Sequence, residues 1–236
     1  MLECGPRHAH ILQSVHTYVE QLNRSQTNPL STCLLEGPCG CGKTALAATI
    51  GIDSGFPFVK IVSAENMIGL SESTKCAVIT EVFNDAYKSP LSIIILDDIE
   101  RLVEYVPLGP CVSISILGTI LDLLQKNPPQ GSKLLVIGTS SITLEHLESM
   151  KLLHAFDVRH NVPTLNPTDM KQVLEALDVF DPADVDNAVT ALDEEISIKR
   201  LLMLIDMAAQ GGGKGTHVHQ KIELGYFFKC LQMINT

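Results

Sequence analysis

Gly37-Pro38-Cys39-Gly40-Cys41-Gly42-Lys43-Thr44 has the spacing G-x-x-x-x-G-K-T. The apolar run Cys33-Leu34-Leu35 comes before it. Ala45-Leu46-Ala47-Ala48-Thr49-Ile50, rich in good helix formers, comes after. The order is strand, glycine loop, helix, the setting in which this spacing has a physical meaning. N–H groups at a helix start have no intrahelical acceptor, so they are available to anionic oxygens. Glycines let the backbone curl around an anion without a Cβ clash. On this reading the segment binds phosphate, Lys43 neutralises the outer phosphates, and the Thr44 hydroxyl ligates Mg²⁺.

A second anchor lies downstream in Leu91-Ser92-Ile93-Ile94-Ile95-Leu96-Asp97-Asp98. Its continuous β-branched run predicts a strand buried on both faces. The acids at its end fall where open α/β sheets bind ligands. Asp97 is predicted to hold the Mg²⁺ water shell, and Asp98 to be the base that orients attacking water. Asp98 also directly precedes Ile99-Glu100-Arg101-Leu102 and reads equally as the cap of that short helix. Lys133-Leu134-Leu135-Val136-Ile137-Gly138 predicts a further buried strand, leading into Thr139-Ser140-Ser141. These hydroxyls are expected near the γ-phosphate, with turn formation or capping as the alternative.

Composition narrows the field. The chain has 236 residues, 45% of them hydrophobic, with no Trp and a net charge of −10. That is enough for one large domain with an aliphatic core, and no Lys/Arg-rich stripe suggests a nucleic-acid face. No apolar run is long enough for a membrane span, and Met1 to His10 lacks a signal-peptide pattern. Seven scattered cysteines suggest reduced thiols in a cytoplasmic protein. Cys39-x-Cys41 could pair for metal or redox work, but inside a phosphate loop it reads as loop filler. His8-x-His10 and His217-x-His219 have no carboxylate or cysteine framework and read as surface histidines.

Ile11, Leu12, Val15, Tyr18, Val19 and Leu22 recur at helical spacing. Phe56 to Val62 predicts a strand, Ser73 or Thr74 the cap of a helix ending near Tyr87, Ser113 to Lys126 another helix, and Phe156 to Val162 a fifth strand. After Pro163 strand signals stop. Met170, Val173, Leu174 and Leu177, and then Ile198, Leu201, Leu202, Leu204 and Ile205, follow helical periods, with a glycine-rich loop at Gly211 to Thr216. The predicted organisation is α/β, with a phosphate-loop subdomain over 1–164 and a small helical lid over 165–236.

This layout resembles an AAA+ ATPase module. Several strings make the likeness closer: Leu35-Glu36-Gly37-Pro38, Gly42-Lys43-Thr44-Ala45-Leu46-Ala47, Met67-Ile68-Gly69, Asp97-Asp98-Ile99-Glu100-Arg101-Leu102, Tyr105-Val106-Pro107 and Pro128-Pro129-Gln130-Gly131. Together they resemble the second ATPase domain of the vesicle-fusing ATPases, the N-ethylmaleimide-sensitive fusion family. Gly51-Ile52-Asp53-Ser54 and Ala208-Ala209-Gln210 are similar to the plant form.

The resemblance implies a five-stranded parallel sheet flanked by helices, with a helical lid. It implies ATP and Mg²⁺ as ligands, with Gly5, the run Gly37 to Leu46 (including Pro38, Cys39, Gly40, Cys41, Gly42, Lys43, Thr44 and Ala45), Lys133 and Lys199 on the nucleotide side. Asp98, Lys43 and Ser141 take the catalytic positions, and Thr44 and Asp97 the metal positions. Asp98 replaces the usual Glu, Ser141 stands at the polar sensor position, and Met67 replaces the aromatic that grips substrate in active rings. Cys111 and Gln125 replace interface cations, which implies weakened hexamer contacts. In the family the second ring binds ATP, hydrolyses it slowly, and holds a hexamer together. SNAP adaptors and SNARE complexes engage through domains this chain lacks. The implied location is cytoplasmic, peripheral to transport membranes. The alternatives are a working ATPase motor, or a truncated copy that interferes with full-length subunits or is inert.

Overall fold

The structure is a computed structural model that describes residues 4–25, 27–106, 112–192, 194–211 and 221–234. Cys111, Pro107, Leu2, the glycine-rich loop beyond Gly211 and the His217-x-His219 pair lie outside these residues.

Helix α1 covers Pro6–Arg24. Its apolar spacing buries Ile11, Val15, Val19 and Leu22 on one side, as expected for a 3.6-residue period. Strand β1 is Leu30–Glu36, and α2 begins at Lys43 and runs to Asp53. Then come β2 (Phe58–Ser63), a 3₁₀ turn at Ala64–Met67, α3 (Glu72–Ala86) and β3 (Leu91–Asp97). The short α4 (Ile99–Leu102) and α5 (Ile114–Gln125) lead to β4 (Lys133–Ser140). Two short helices, α6 (Leu144–Ser149) and α7 (Leu152–Ala155), precede β5 (Val158–Asn161). The remaining described elements are helical: α8 (Pro167–Leu177), α9 (Val185–Ala191), α10 (Ile198–Gly211) and α11 (Leu224–Ile234).

The five strands form one parallel sheet in the order β2-β3-β4-β1-β5. The central strands β1, β3 and β4 are buried along nearly their whole length, which is why they read as unbroken apolar runs rather than alternating ones. Edge strand β2 keeps Val59 and Ile61 partly exposed.

Two boundaries differ from the sequence expectation. Helix α3 starts earlier than Ser73, because the Ser71 hydroxyl accepts the Thr74 N–H and makes Ser71 the cap. Strand β4 extends two residues past Gly138, and Thr139 and Ser140 are both fully buried. A third difference concerns a side chain. Met67 is 4% exposed and packs in the core, whereas Ile68 beside it is 81% exposed, so Ile68 and not Met67 is the apolar side chain presented to solvent there.

The chain divides into two compact units. One comprises Ile11–Gly37 and Lys43–Asn161 and holds the sheet. Its core gathers Leu34, Phe83, Ile94, Leu96, Ile120 and Val136 with their neighbours. The other comprises Met1–His10, Pro38–Gly42 and Val162–Thr236. Its helical core is built on Met170, Leu174, Phe180, Leu201, Leu204 and Phe227, with Phe180 and Phe227 packed edge to face at 5.2 Å. This unit takes in the first residues of the chain and the tip of the glycine loop, which a single cut at 164/165 does not.

Candidate nucleotide site

In the sheet unit the site is built on the C-terminal ends of parallel strands. Leu96 on β3 pairs with Gly138 on β4, so Asp97 and Thr139 are the next residues along the two neighbouring strands. The Thr139 hydroxyl donates to Asp97 Oδ1 at 2.8 Å and accepts the Asp98 N–H at 2.8 Å. The Thr44 hydroxyl, in the first turn of α2, also donates to Asp97 Oδ1, at 2.7 Å. Lys43 is only 5% exposed, and its ammonium group donates to the Gly37 carbonyl at 2.8 Å. Lys43, Thr44, Asp97 and Asp98 are thus all held at one edge of the sheet, where α/β folds bind ligands.

Thr44 and Asp97 offer a hydroxyl and a carboxylate, both hard oxygen donors suited to Mg²⁺. Among the described residues no group of three His, Cys, Asp or Glu side chains comes together. One carboxylate and one hydroxyl, with the remaining positions left for water and phosphate oxygens, is the donor set that Mg²⁺ takes in nucleotide sites.

Asp98 has a left-handed backbone, φ 47°, and its side chain makes no capping bond to α4. The capping alternative is therefore excluded. Its nearest cation is Arg101, at 3.8 Å. Burial raises the Asp98 pKa, and the neighbouring Asp97 and Glu100 charges raise it further, against the opposing pull of Lys43 and Arg101. Ser141 is half-buried just beyond β4, and its N–H donates to Glu100 Oε1 at 2.8 Å.

In the helical unit the Gly40 carbonyl accepts the Lys199 N–H at 3.0 Å. Gly40 has φ +80°, and a Cβ there would lie 3.1 Å from Lys199 Cβ and from Ser197 Oγ. Both the conformation and the close approach call for glycine. The Lys199 side chain is exposed. Gly5, with φ +94°, lies so close to Asp169 that a Cβ would fall 2.0 Å from its Oδ1. Asp169 is 1% exposed on its side chain, accepts from Arg7 Nε at 3.2 Å and Nη2 at 2.5 Å, and completes a capping box with Asn166. His8, next to Arg7, is 4% exposed, and burial pushes its pKa down.

Lys133 stands apart. It opens β4, at the opposite end of that strand from Thr139, and donates to the Asn23 carbonyl at 2.7 Å. Within one chain it does not join Lys43 and Asp97. Gln125 is exposed at the end of α5.

The sequence reading did not single out Glu100, Arg7 or Asp169. Asn166-Pro167-Thr168-Asp169 carries a readable capping-box signal, with proline at the first helical position. Nothing in the local spacing marks Glu100, whose partner lies 41 residues away.

Residues 33–164 match the sequence model of the ATPase family associated with various cellular activities, AAA. The chain belongs to that family. Within it, the chain resembles the vesicle-fusing members. It is 56% identical to the vesicle-fusing ATPase of Arabidopsis thaliana over 98% of its own length, covering 32% of that protein. It is 39% identical to the vesicle-fusing ATPase of Dictyostelium discoideum over 90% of its length, covering 29% of that protein. It is 38% identical to the vesicular-fusion protein SEC18 of Saccharomyces cerevisiae over 84%, covering 27%. The chain thus spans about a third or less of these relatives. No helix among the described residues is long and apolar enough to cross a membrane.

Proposed function

We propose that this chain is an ATP-binding module of the vesicle-fusing ATPase type, in which the bound nucleotide serves subunit assembly more than turnover. The observation that carries the reading is the meeting of Thr44, Asp97 and Thr139 at the strand ends beside buried Lys43. Lys43 takes the outer phosphates, with the backbone of Gly37 to Gly42 and the first turn through Ala45 and Leu46 around them. Thr44 and Asp97 take Mg²⁺, which neutralises charge on the phosphate oxygens. Gly5 belongs to the adenine side and Lys199 to the lid side of the same nucleotide. The helical residues from 165 onward act as that lid.

Slow hydrolysis follows from reach. Asp98 is one methylene shorter than Glu, and positioning dominates phosphoryl transfer. Self-association, or association with full-length vesicle-fusing subunits, is the proposed partner chemistry, at transport membranes in the cytoplasm. SNAP adaptors and SNAREs are contacted only by other parts of such proteins. Gln125 without its cation, and Cys111, weaken the hexamer, while Lys133 keeps a position from which to approach a neighbouring subunit.

A second reading, a working motor, is favoured by one observation. The raised Asp98 pKa moves the carboxyl toward the range of a general base. Calorimetric titration of ATP with and without Mg²⁺, alongside Lys43→Ala, tests the binding. Steady-state turnover with Asp98→Asn separates assembly from motor, since only a motor has turnover to lose. Light scattering with ATP tests assembly; a stable hexamer at low protein concentration would contradict the weakened interface.

A further inference from the structure

Glu100 is 9% exposed, yet only one of its carboxylate oxygens has a hydrogen-bond partner among the described residues. Oε1 accepts the Ser141 N–H at 2.8 Å, while Oε2 is buried without a partner. Burying a carboxylate oxygen unpaired costs stability, so an acid at this position is poorly explained by packing alone. The bond it makes joins the turn after β3 to the residue after β4. Thr139 makes the other such tie, through Asp97 and Asp98. The two ties bracket Ser140, which is fully buried, and together they fix the backbone of residues 139–141 against the two acids.

We propose that Glu100 is a positioning residue. By holding the Ser141 N–H it aims the Ser141 hydroxyl so that the site distinguishes a nucleoside triphosphate from a diphosphate. This rests on the ATP-binding reading above. The role requires reach and an acceptor oxygen rather than charge, which gives two conservative variants opposite expectations. Glu100→Gln keeps the length and an amide oxygen that can accept the N–H. Glu100→Asp keeps the charge and loses one methylene of reach.

The experiment measures the affinities of the full chain for fluorescent ATP and ADP analogues with Mg²⁺, with circular dichroism and thermal melts confirming that each variant is folded. Wild type is expected to prefer ATP about tenfold, the order of one charge-assisted hydrogen bond. Glu100→Gln should keep that ratio, whereas Glu100→Asp should bring it close to one by weakening ATP while leaving ADP unchanged. Ser141→Ala keeps its backbone N–H and should lose the same preference, so the idea can be judged even if the Asp variant fails to fold. The proposal is overturned if Glu100→Asp or Ser141→Ala keeps the wild-type ratio, if Gln loses as much as Asp, or if wild type does not favour ATP. Wild type binding neither nucleotide would instead remove the ATP-binding reading, and this proposal with it.

Discussion

The hydroxyl of Thr139 is bonded to Asp97 Oδ1 while also accepting the backbone N–H of Asp98, both at 2.8 Å. A single buried oxygen therefore orients the carboxylate placed to meet Mg²⁺ and ties down the main chain of the next acid. A hydroxyl can do both because it donates once and still has lone pairs to accept.

Thr139→Val keeps the shape and removes both bonds, leaving the Asp98 N–H without its partner. The expected cost is about 1–3 kcal/mol, read as a lower urea midpoint with an unchanged slope. Mg²⁺-dependent ATP affinity should fall as well, because Asp97 loses its orientation. Thr139→Ser should restore most of both.

Asp98 predicts a pH effect. Its folded pKa lies above its unfolded value, chiefly from burial and then from Asp97 and Glu100. The folded chain therefore binds more protons there than the unfolded chain, and this group's contribution to stability falls as pH rises through that window. Asp98→Asn, which tolerates the left-handed backbone as Asp does, should raise the melting temperature at neutral pH. The gain should fade in the acid range, where the wild-type carboxyl is itself protonated. Melts of both proteins across that range check it, and an unchanged gain at acid pH would contradict the assignment.

Gly5 and Arg7 both lean on Asp169. Gly5→Ala places a methyl group on a buried carboxylate in a left-handed backbone, and should destabilise by more than about 2 kcal/mol. Arg7→Ala leaves Asp169 with its backbone partner in the capping box only. Its cost should be about 2 kcal/mol, below that of a fully buried pair because Arg7 is 40% exposed. Denaturant titration of each variant provides the test.

The two loop cysteines should behave differently toward a maleimide. Cys39 is exposed and Cys41 is 1% exposed, so alkylation should be confined to Cys39. The adduct would occupy space meant for phosphate. ATP should slow the reaction, the modified protein should bind ATP weakly, and Cys39→Ser should be resistant. Peptide mass spectrometry locates the adduct; full ATP affinity after complete modification of Cys39 would sink the idea.

Much of this was legible in the sequence because local pattern and tertiary role coincide. The run Leu91 to Leu96 is apolar throughout because both of its faces are covered, and Gly37 to Thr44 carries its own geometry. Met67 misled because its neighbour Ile68 takes the solvent-facing position, and side-chain direction in a 3₁₀ turn cannot be read from residue type. Ser73 and Ser71 are chemically alike, so only the hydrogen bond to Thr74 decides between them. Glu100 was invisible because its importance is a contact between strand ends that only the sheet register brings together. Arg7 and Asp169 meet across 162 positions of chain, beyond any local pattern.

The bond from the Lys199 N–H to the Gly40 carbonyl bears on how this protein can be dissected. The bend of the anion-binding loop is braced by a segment that comes some 160 residues later in translation, not by the sheet that precedes and follows it. A recombinant fragment ending after the fifth strand would keep the whole glycine motif as text and lose its brace. Such a minimal piece, however well it expressed, would be a poor stand-in for the intact chain in any screen for nucleotide or inhibitor binding.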